Sequence, residues 1–189
     1  MNWLAHLYLS PPDPAHRIGN LLPDILSATA LSALPPEFHS GIALHHRIDA
    51  FTDRHPVVRQ SIQRLQPPLR RFGGILCDMF YDHFLARDWN TYAPESLTNF
   101  AAAVYDGFDT CHDRLPPEAA LRLRMMREAD LLCSYQTLPG IATALERISL
   151  RLRRPVNLAA SMTDFEQHYH DFAGDFRAFF PELQSHAAL

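Results

Sequence analysis

The chain contains no lysine: all 17 of its basic residues are arginine. That excludes Schiff-base chemistry and a lysine nucleophile, so any catalytic group must be of another kind. Cysteine is almost as scarce. Cys77, Cys111 and Cys133 lie far apart, form no Cys-x-x-Cys pair and fall in predicted helices, so they read as reduced core residues. Long apolar runs are also missing. No segment approaches the roughly 20 apolar residues of a membrane span, and no basic stretch precedes an apolar one at the start. The default expectation is therefore a soluble cytoplasmic protein with no membrane partner. Positive charge is not in excess either, since the formal net charge is -4, which gives no support for a nucleic-acid partner.

What the chain does have is hydrophobic and aromatic content. At 189 residues, 47% hydrophobic and 11% aromatic, it suits one domain spanning residues 1–189 with a substantial core. Proline punctuates it throughout. A short apolar segment at 2–9 stops at Pro11-Pro12, and Gly19 and Pro23 interrupt the next, bringing Asp24 to a helix break. Helices are predicted over about 37–53, 56–66, 69–87, 94–112, 118–133 and 137–153. A last helix is expected to open on a Thr163-x-x-Glu166 capping box, with Phe165, Tyr169, Phe172, Phe176 and Phe179 on one stripe. No period-2 alternation, internal repeat or linker is visible. The fold class is all-α, a single-domain helical bundle.

Two of these helices carry acids and histidines beside bulky apolar residues. Around the helix at 37–53, Leu44, Ile48 and Phe51 share a face and His45, Asp49 and Thr52 form the adjoining stripe. A histidine and an aspartate at i and i+4 can grip one ion from a single helix, although an exposed ion pair has the same spacing. Asp78 and Asp82 repeat the interval next to Met79, Phe80 and Phe84. Burying several uncompensated carboxylates costs several kcal/mol or more, so a shared cation is the economical explanation. An oxygen-rich set with one or two histidines suits Mn²⁺ or Mg²⁺ better than structural Zn²⁺. By helical phase His83 points away from the Asp78/Asp82 line, toward Met79. His6 alone reads as a core histidine, Asp53 as a helix-closing residue, and Arg47 as either a surface ion pair or a phosphate contact.

The order of several short motifs resembles the acyl carrier protein phosphodiesterases, a family related to the HD-domain phosphohydrolases. They are Met1-Asn-Trp-Leu-Ala-His-Leu7, Gly19-Asn-Leu-Leu-Pro-Asp24, Gly41-Ile-x-x-His45-x-Arg47-Ile-Asp49-x-x-Thr52-Asp53, Asp78-x-x-x-Asp82-His83-Phe-Leu85, Arg153-Arg154-Pro155 and Phe176-x-x-Phe179-Phe180-Pro181. The resemblance implies an HD-like bundle that hydrolyses the phosphodiester joining 4'-phosphopantetheine to a serine of holo-acyl carrier protein, with Mn²⁺ or Mg²⁺. It adds His6 and Asp24 to the candidates. The expected metal ligands are then Asp24, His45, Asp49, Asp78 and Asp82, with His6 or His83 in proton transfer and Arg47 balancing phosphate charge.

Two other readings stay open: an HD-type phosphohydrolase acting on a nucleotide or another small phosphoester, and a helical carrier-protein-binding module without catalysis. Because such carrier proteins are acidic, a basic docking surface is expected, with Arg64, Arg70, Arg71, Arg151, Arg153 and Arg154 as candidates.

Overall fold

A computed structural model describes residues 1–189 as twelve α-helices joined by short 3-10 turns, with no strand. In chain order these are α1 (Trp3–Tyr8), α2 (Pro14–Gly19), α3 (Ala28–Ser32), α4 (His39–Arg54), α5 (Pro56–Gln63), α6 (Gly73–Arg87), α7 (Leu97–Asp109), α8 (Pro117–Glu128), α9 (Leu131–Ser134), α10 (Leu138–Ser149), α11 (Met162–Gln167) and α12 (Tyr169–Ala187). The all-α expectation holds. Proline sets many of the starts, standing in the first turn of α2, α5, α8 and α10, where its missing N–H costs nothing.

α6 runs through the middle and is buried on nearly every side, including Asp82 and His83. α12 packs across α4, α5 and α6, and its stripe of Phe172, Phe176, Phe179 and Phe180 fills the space between them. Phe80 of α6 stacks on Phe165 of α11 with ring centroids 3.9 Å apart. These aromatics belong to one continuous hydrophobic core.

Two predicted elements come out differently. The helix expected over 118–133 breaks at Asp130, whose φ of +41° lies in the left-handed region, and the Tyr105 hydroxyl accepts the Leu132 N–H just beyond it at 3.0 Å. The Thr163/Glu166 capping box does not form. Thr163 already lies inside α11, and the chain breaks instead at His168 before α12 begins.

α2 and α4 approach backbone to backbone, and glycine permits it. A Cβ on Gly19 would stand 2.2 Å from the Phe38 carbonyl oxygen, and one on Gly41 would stand 2.1 Å from that of His16. Only residues without a side chain let the two backbones touch here. That contact brings the end of α2, and Asn20 just beyond it, against the middle of α4.

Candidate metal centre

Three segments meet at one point. His6 lies on α1, Asp24 ends the 3-10 turn Leu22–Asp24, and His45 and Asp49 sit one turn apart on α4. Asp49 is the hub. Its Oδ2 is 3.0 Å from His45 Nε2, and its Oδ1 is 3.2 Å from His6 Nε2. One ligand atom each from His6, His45 and Asp49 can be chosen so that all lie within 4.8 Å of one another. Asp24 Oδ1 flanks them, 3.8 Å from His45 Nε2. The two imidazoles stack with centroids 4.4 Å apart.

Asn20 orients both rings. Its backbone carbonyl faces His45 Nδ1 at 2.8 Å, and since a carbonyl only accepts, that nitrogen carries the proton and Nε2 presents a lone pair to Asp49. The Asn20 side chain donates through Nδ2 to the His6 carbonyl and to Ser10 Oγ, which turns Oδ1 toward His6 Nδ1 at 2.9 Å. His6 Nε2 then faces two oxygens, the Met1 carbonyl at 3.0 Å and Asp49 Oδ1. Whichever nitrogen holds the proton of a neutral His6, the other meets an acceptor.

The His45 Nε2 lone pair and the Asp49 carboxylate thus converge with His6 Nε2 on one point, and Asp49 Oδ1 is buried there without a hydrogen-bond partner. The arrangement calls for positive charge. Burial disfavours the imidazolium of His45, yet Asp49 and Asp24 outweigh it and raise its pKa. Burial likewise works against the Asp49 carboxylate, but the imidazoles of His45 and His6 and the Met1 ammonium hold its pKa well below the usual range. A divalent cation fits the His6, His45 and Asp49 set, with the Asp24 carboxylate at its edge, better than protons do, because it would satisfy those three side chains at once.

A family model described as acyl carrier protein phosphodiesterase matches residues 1–183. The chain belongs to the acyl carrier protein phosphodiesterase family. Among its relatives named acyl carrier protein phosphodiesterase, one from Pectobacterium atrosepticum is 32% identical over 97% of this chain and 95% of its own length. One from Yersinia enterocolitica is 33% identical over 99% and 97%, and one from Escherichia coli 30% identical over 100% and 98%. No solved structure matches the chain.

The rest of the candidate set in this acyl carrier protein phosphodiesterase family member is distributed around the cluster. Asp82 does not point at the histidines. Its two oxygens accept the Leu4 and Ala5 backbone N–H groups at 2.7 and 3.3 Å, satisfying orphan donors at the start of α1. Burial nonetheless pushes its carboxyl up to about 7 against the pull of the Met1 ammonium and those N–H groups. Asp78 pairs with the Met1 amino group at 3.0 Å, and that group stands 3.7 Å from Asp49. The Asp78/Asp82 pair, expected as a second half-site, is thus engaged in seating α1.

His83 lies apart from the cluster with both ring nitrogens engaged: Nδ1 donates to the Tyr135 carbonyl at 2.9 Å, and Nε2 meets the Tyr169 hydroxyl at 2.7 Å. Burial lowers its pKa, which keeps the ring neutral. Arg47 is exposed and donates to the Ala187 carbonyl at the end of α12, 3.2 Å away. Two contributors carry no role in the sequence reading, where they stand only inside motifs: Asn20, and Trp3, whose indole N–H donates to Asp24 Oδ2 at 2.9 Å.

Proposed function

We propose that this chain hydrolyses the phosphodiester between 4'-phosphopantetheine and a serine of holo-acyl carrier protein, acting as one domain on a cytoplasmic substrate. The observation that carries this reading is the convergence of His6, His45, Asp49 and Asp24 in a member of this family. In the reaction the oxygen of water bonds to phosphorus, the bond from phosphorus to the seryl oxygen breaks, and a proton ends on the serine.

His6, His45, Asp49 and Asp24 would hold a divalent ion, with Mn²⁺ favoured over Mg²⁺ because half the donors are imidazole. When bound, such an ion supplies Lewis acidity to a phosphoryl oxygen and acidifies water. The chain's own part is positioning. Asn20 aims both Nε2 lone pairs, Trp3 holds one oxygen of Asp24 so that the other faces His45, and Asp78 with Asp82 fixes α1 and hence His6. This reading moves His6 from proton transfer to ligation. It gives His83 and Arg47, whose partners lie elsewhere, no part in the chemistry.

The test is mass spectrometry of holo-carrier protein incubated with metal-stripped protein, with and without Mn²⁺. Loss of the prosthetic group only with Mn²⁺ is the expected result. Full turnover in chelator would overturn the metal assignment. Turnover of nucleotides with holo-carrier protein left intact would favour the small-phosphoester reading, and binding without turnover a non-catalytic module.

A further inference from the structure

A groove of about 570 Å³ opens between α8 and α10, where the chain turns at Asp130 and runs through α9 to Tyr135. Nine of its 14 lining residues are hydrophobic, so it is not a generic solvated cleft. Met125 is 50% exposed and Leu150 87% exposed, far more than large apolar side chains in a settled core.

Three arginines, Arg122, Arg147 and Arg151, also line it. None has a carboxylate partner, and the arginines that do have one, Arg64, Arg87, Arg114, Arg124 and Arg127, all lie outside the lining. The only acid lining the groove, Glu128, faces Arg124 at 3.7 Å. Burial together with the neighbouring guanidinium groups of Arg122 and Arg147 lowers the pKa of Arg151, so the three cations repel one another. A like-charged cluster beside exposed apolar groups has its complement in an acidic surface that also carries apolar side chains.

The groove also shares a wall with the candidate metal centre. Trp3 lines it while donating its indole N–H to Asp24 Oδ2, and Asn2 lines it while donating to the Tyr135 hydroxyl at 2.9 Å. The start of α1 is the wall they share.

We infer that the acidic surface of the carrier protein docks on this groove, its carboxylates meeting Arg122, Arg147 and Arg151 and its apolar side chains meeting Met125 and Leu150. This rests on the phosphodiesterase reading and adds where the substrate protein sits. It also revises the expected basic surface, of which only Arg151 belongs to the groove. Arg64 is committed to the buried Asp175, and Arg70 donates to the Leu65 carbonyl at 2.7 Å.

The experiment compares wild type with a triple charge reversal (Arg122→Glu, Arg147→Glu, Arg151→Glu), its milder triple Gln counterpart and an Arg70→Glu/Arg71→Glu control. Each is assayed for steady-state turnover of holo-carrier protein over a range of salt and for anisotropy of a fluorescent carrier protein. Hydrolysis of bis(4-nitrophenyl) phosphate and Mn²⁺ calorimetry report on the metal centre.

The triple reversal should raise KM and Kd for the carrier protein at least tenfold, leave kcat within about twofold and flatten the salt dependence. The Gln triple should fall between it and wild type, and Mn²⁺ affinity should not move. Unchanged KM and Kd in the triple reversal, or an equal loss in the Arg70/Arg71 control, would overturn the docking site. A wild type that binds the carrier protein at these arginines without hydrolysing it would defeat the catalytic reading while sparing this one. A wild type that binds no carrier protein, or that binds single-stranded nucleic acid at the same arginines instead, would defeat the docking inference.

Discussion

Asn20→Ala offers the sharpest test of how the cluster is built. Asn20 is fully buried, and its side chain makes three hydrogen bonds, to His6 Nδ1, the His6 carbonyl and Ser10 Oγ. Two of the three partners keep a substitute, because Ser10 Oγ also donates to the His6 carbonyl at 2.9 Å. The group left without a partner is His6 Nδ1. One lost bond is worth about 1 kcal/mol and one stranded buried polar group about 1–3 kcal/mol, so the variant should lose about 2–4 kcal/mol of stability.

The more telling effect is on Mn²⁺. With Nδ1 released, His6 can change tautomer or rotate, and losing a group that orients a metal-binding histidine typically costs about 10–100-fold in affinity. His45 should be spared, since it is held by the Asn20 backbone carbonyl, which alanine retains. Asn20→Asp keeps an acceptor for His6 Nδ1 and should retain more Mn²⁺ affinity than Asn20→Ala. Calorimetric titration with Mn²⁺ measures the affinity and chemical denaturation the stability. A variant that is destabilised as expected but binds Mn²⁺ like wild type would show that Asn20 is merely structural, and the orientation argument would fail.

Saturating metal-stripped protein with Mn²⁺ at about 100 times its Kd should add about 2.7 kcal/mol of stability, a rise of roughly 5–11 °C in Tm read by scanning fluorimetry; no rise would argue against a specific site. Asp49→Ala removes the hub of the cluster and should abolish both that rise and turnover while circular dichroism stays helical; a preserved rise would displace Asp49 from the site. Gly41→Ala pushes a methyl into the His16 carbonyl, so it should cost about 1–3 kcal/mol and weaken Mn²⁺ binding by shifting Asn20 against His45, whereas wild-type behaviour would mean that α2 and α4 can part freely. Phe165→Ala, in the aromatic core, should cost about 3–5 kcal/mol in denaturant melts with Mn²⁺ affinity unchanged, and a matching loss of affinity would mean that core packing reaches the cluster.

Much of the helical layout was legible because proline and hydrophobic period act locally. Pro56 starts a helix where the sequence places one, and the stripe from Phe165 to Phe179 is buried apart from the half-buried Tyr169. The errors arose where a distant group decides. Asp130 adopts a left-handed conformation next to a segment whose Leu132 N–H is taken by Tyr105, 27 positions away in sequence, and no local pattern announces that contact.

The candidate site divides along the same line. Sequence by itself determined that this is an all-α chain of a recognisable family, with no lysine chemistry open to it and with His45 and Asp49 on one stripe of one helix, since composition and an i, i+4 interval are properties of short stretches. Only the tertiary structure decided what each acid and histidine faces. Asp82 and His83 look as reactive as Asp49 in sequence, yet backbone N–H groups and the Tyr169 hydroxyl occupy them. Asn20, unremarkable within its own segment, reaches the cluster because Gly19 and Gly41 let two helices touch, and His6 reaches it because Asp78 and Asp82 seat α1. Chemical identity is written residue by residue, whereas convergence depends on packing between segments far apart in the chain.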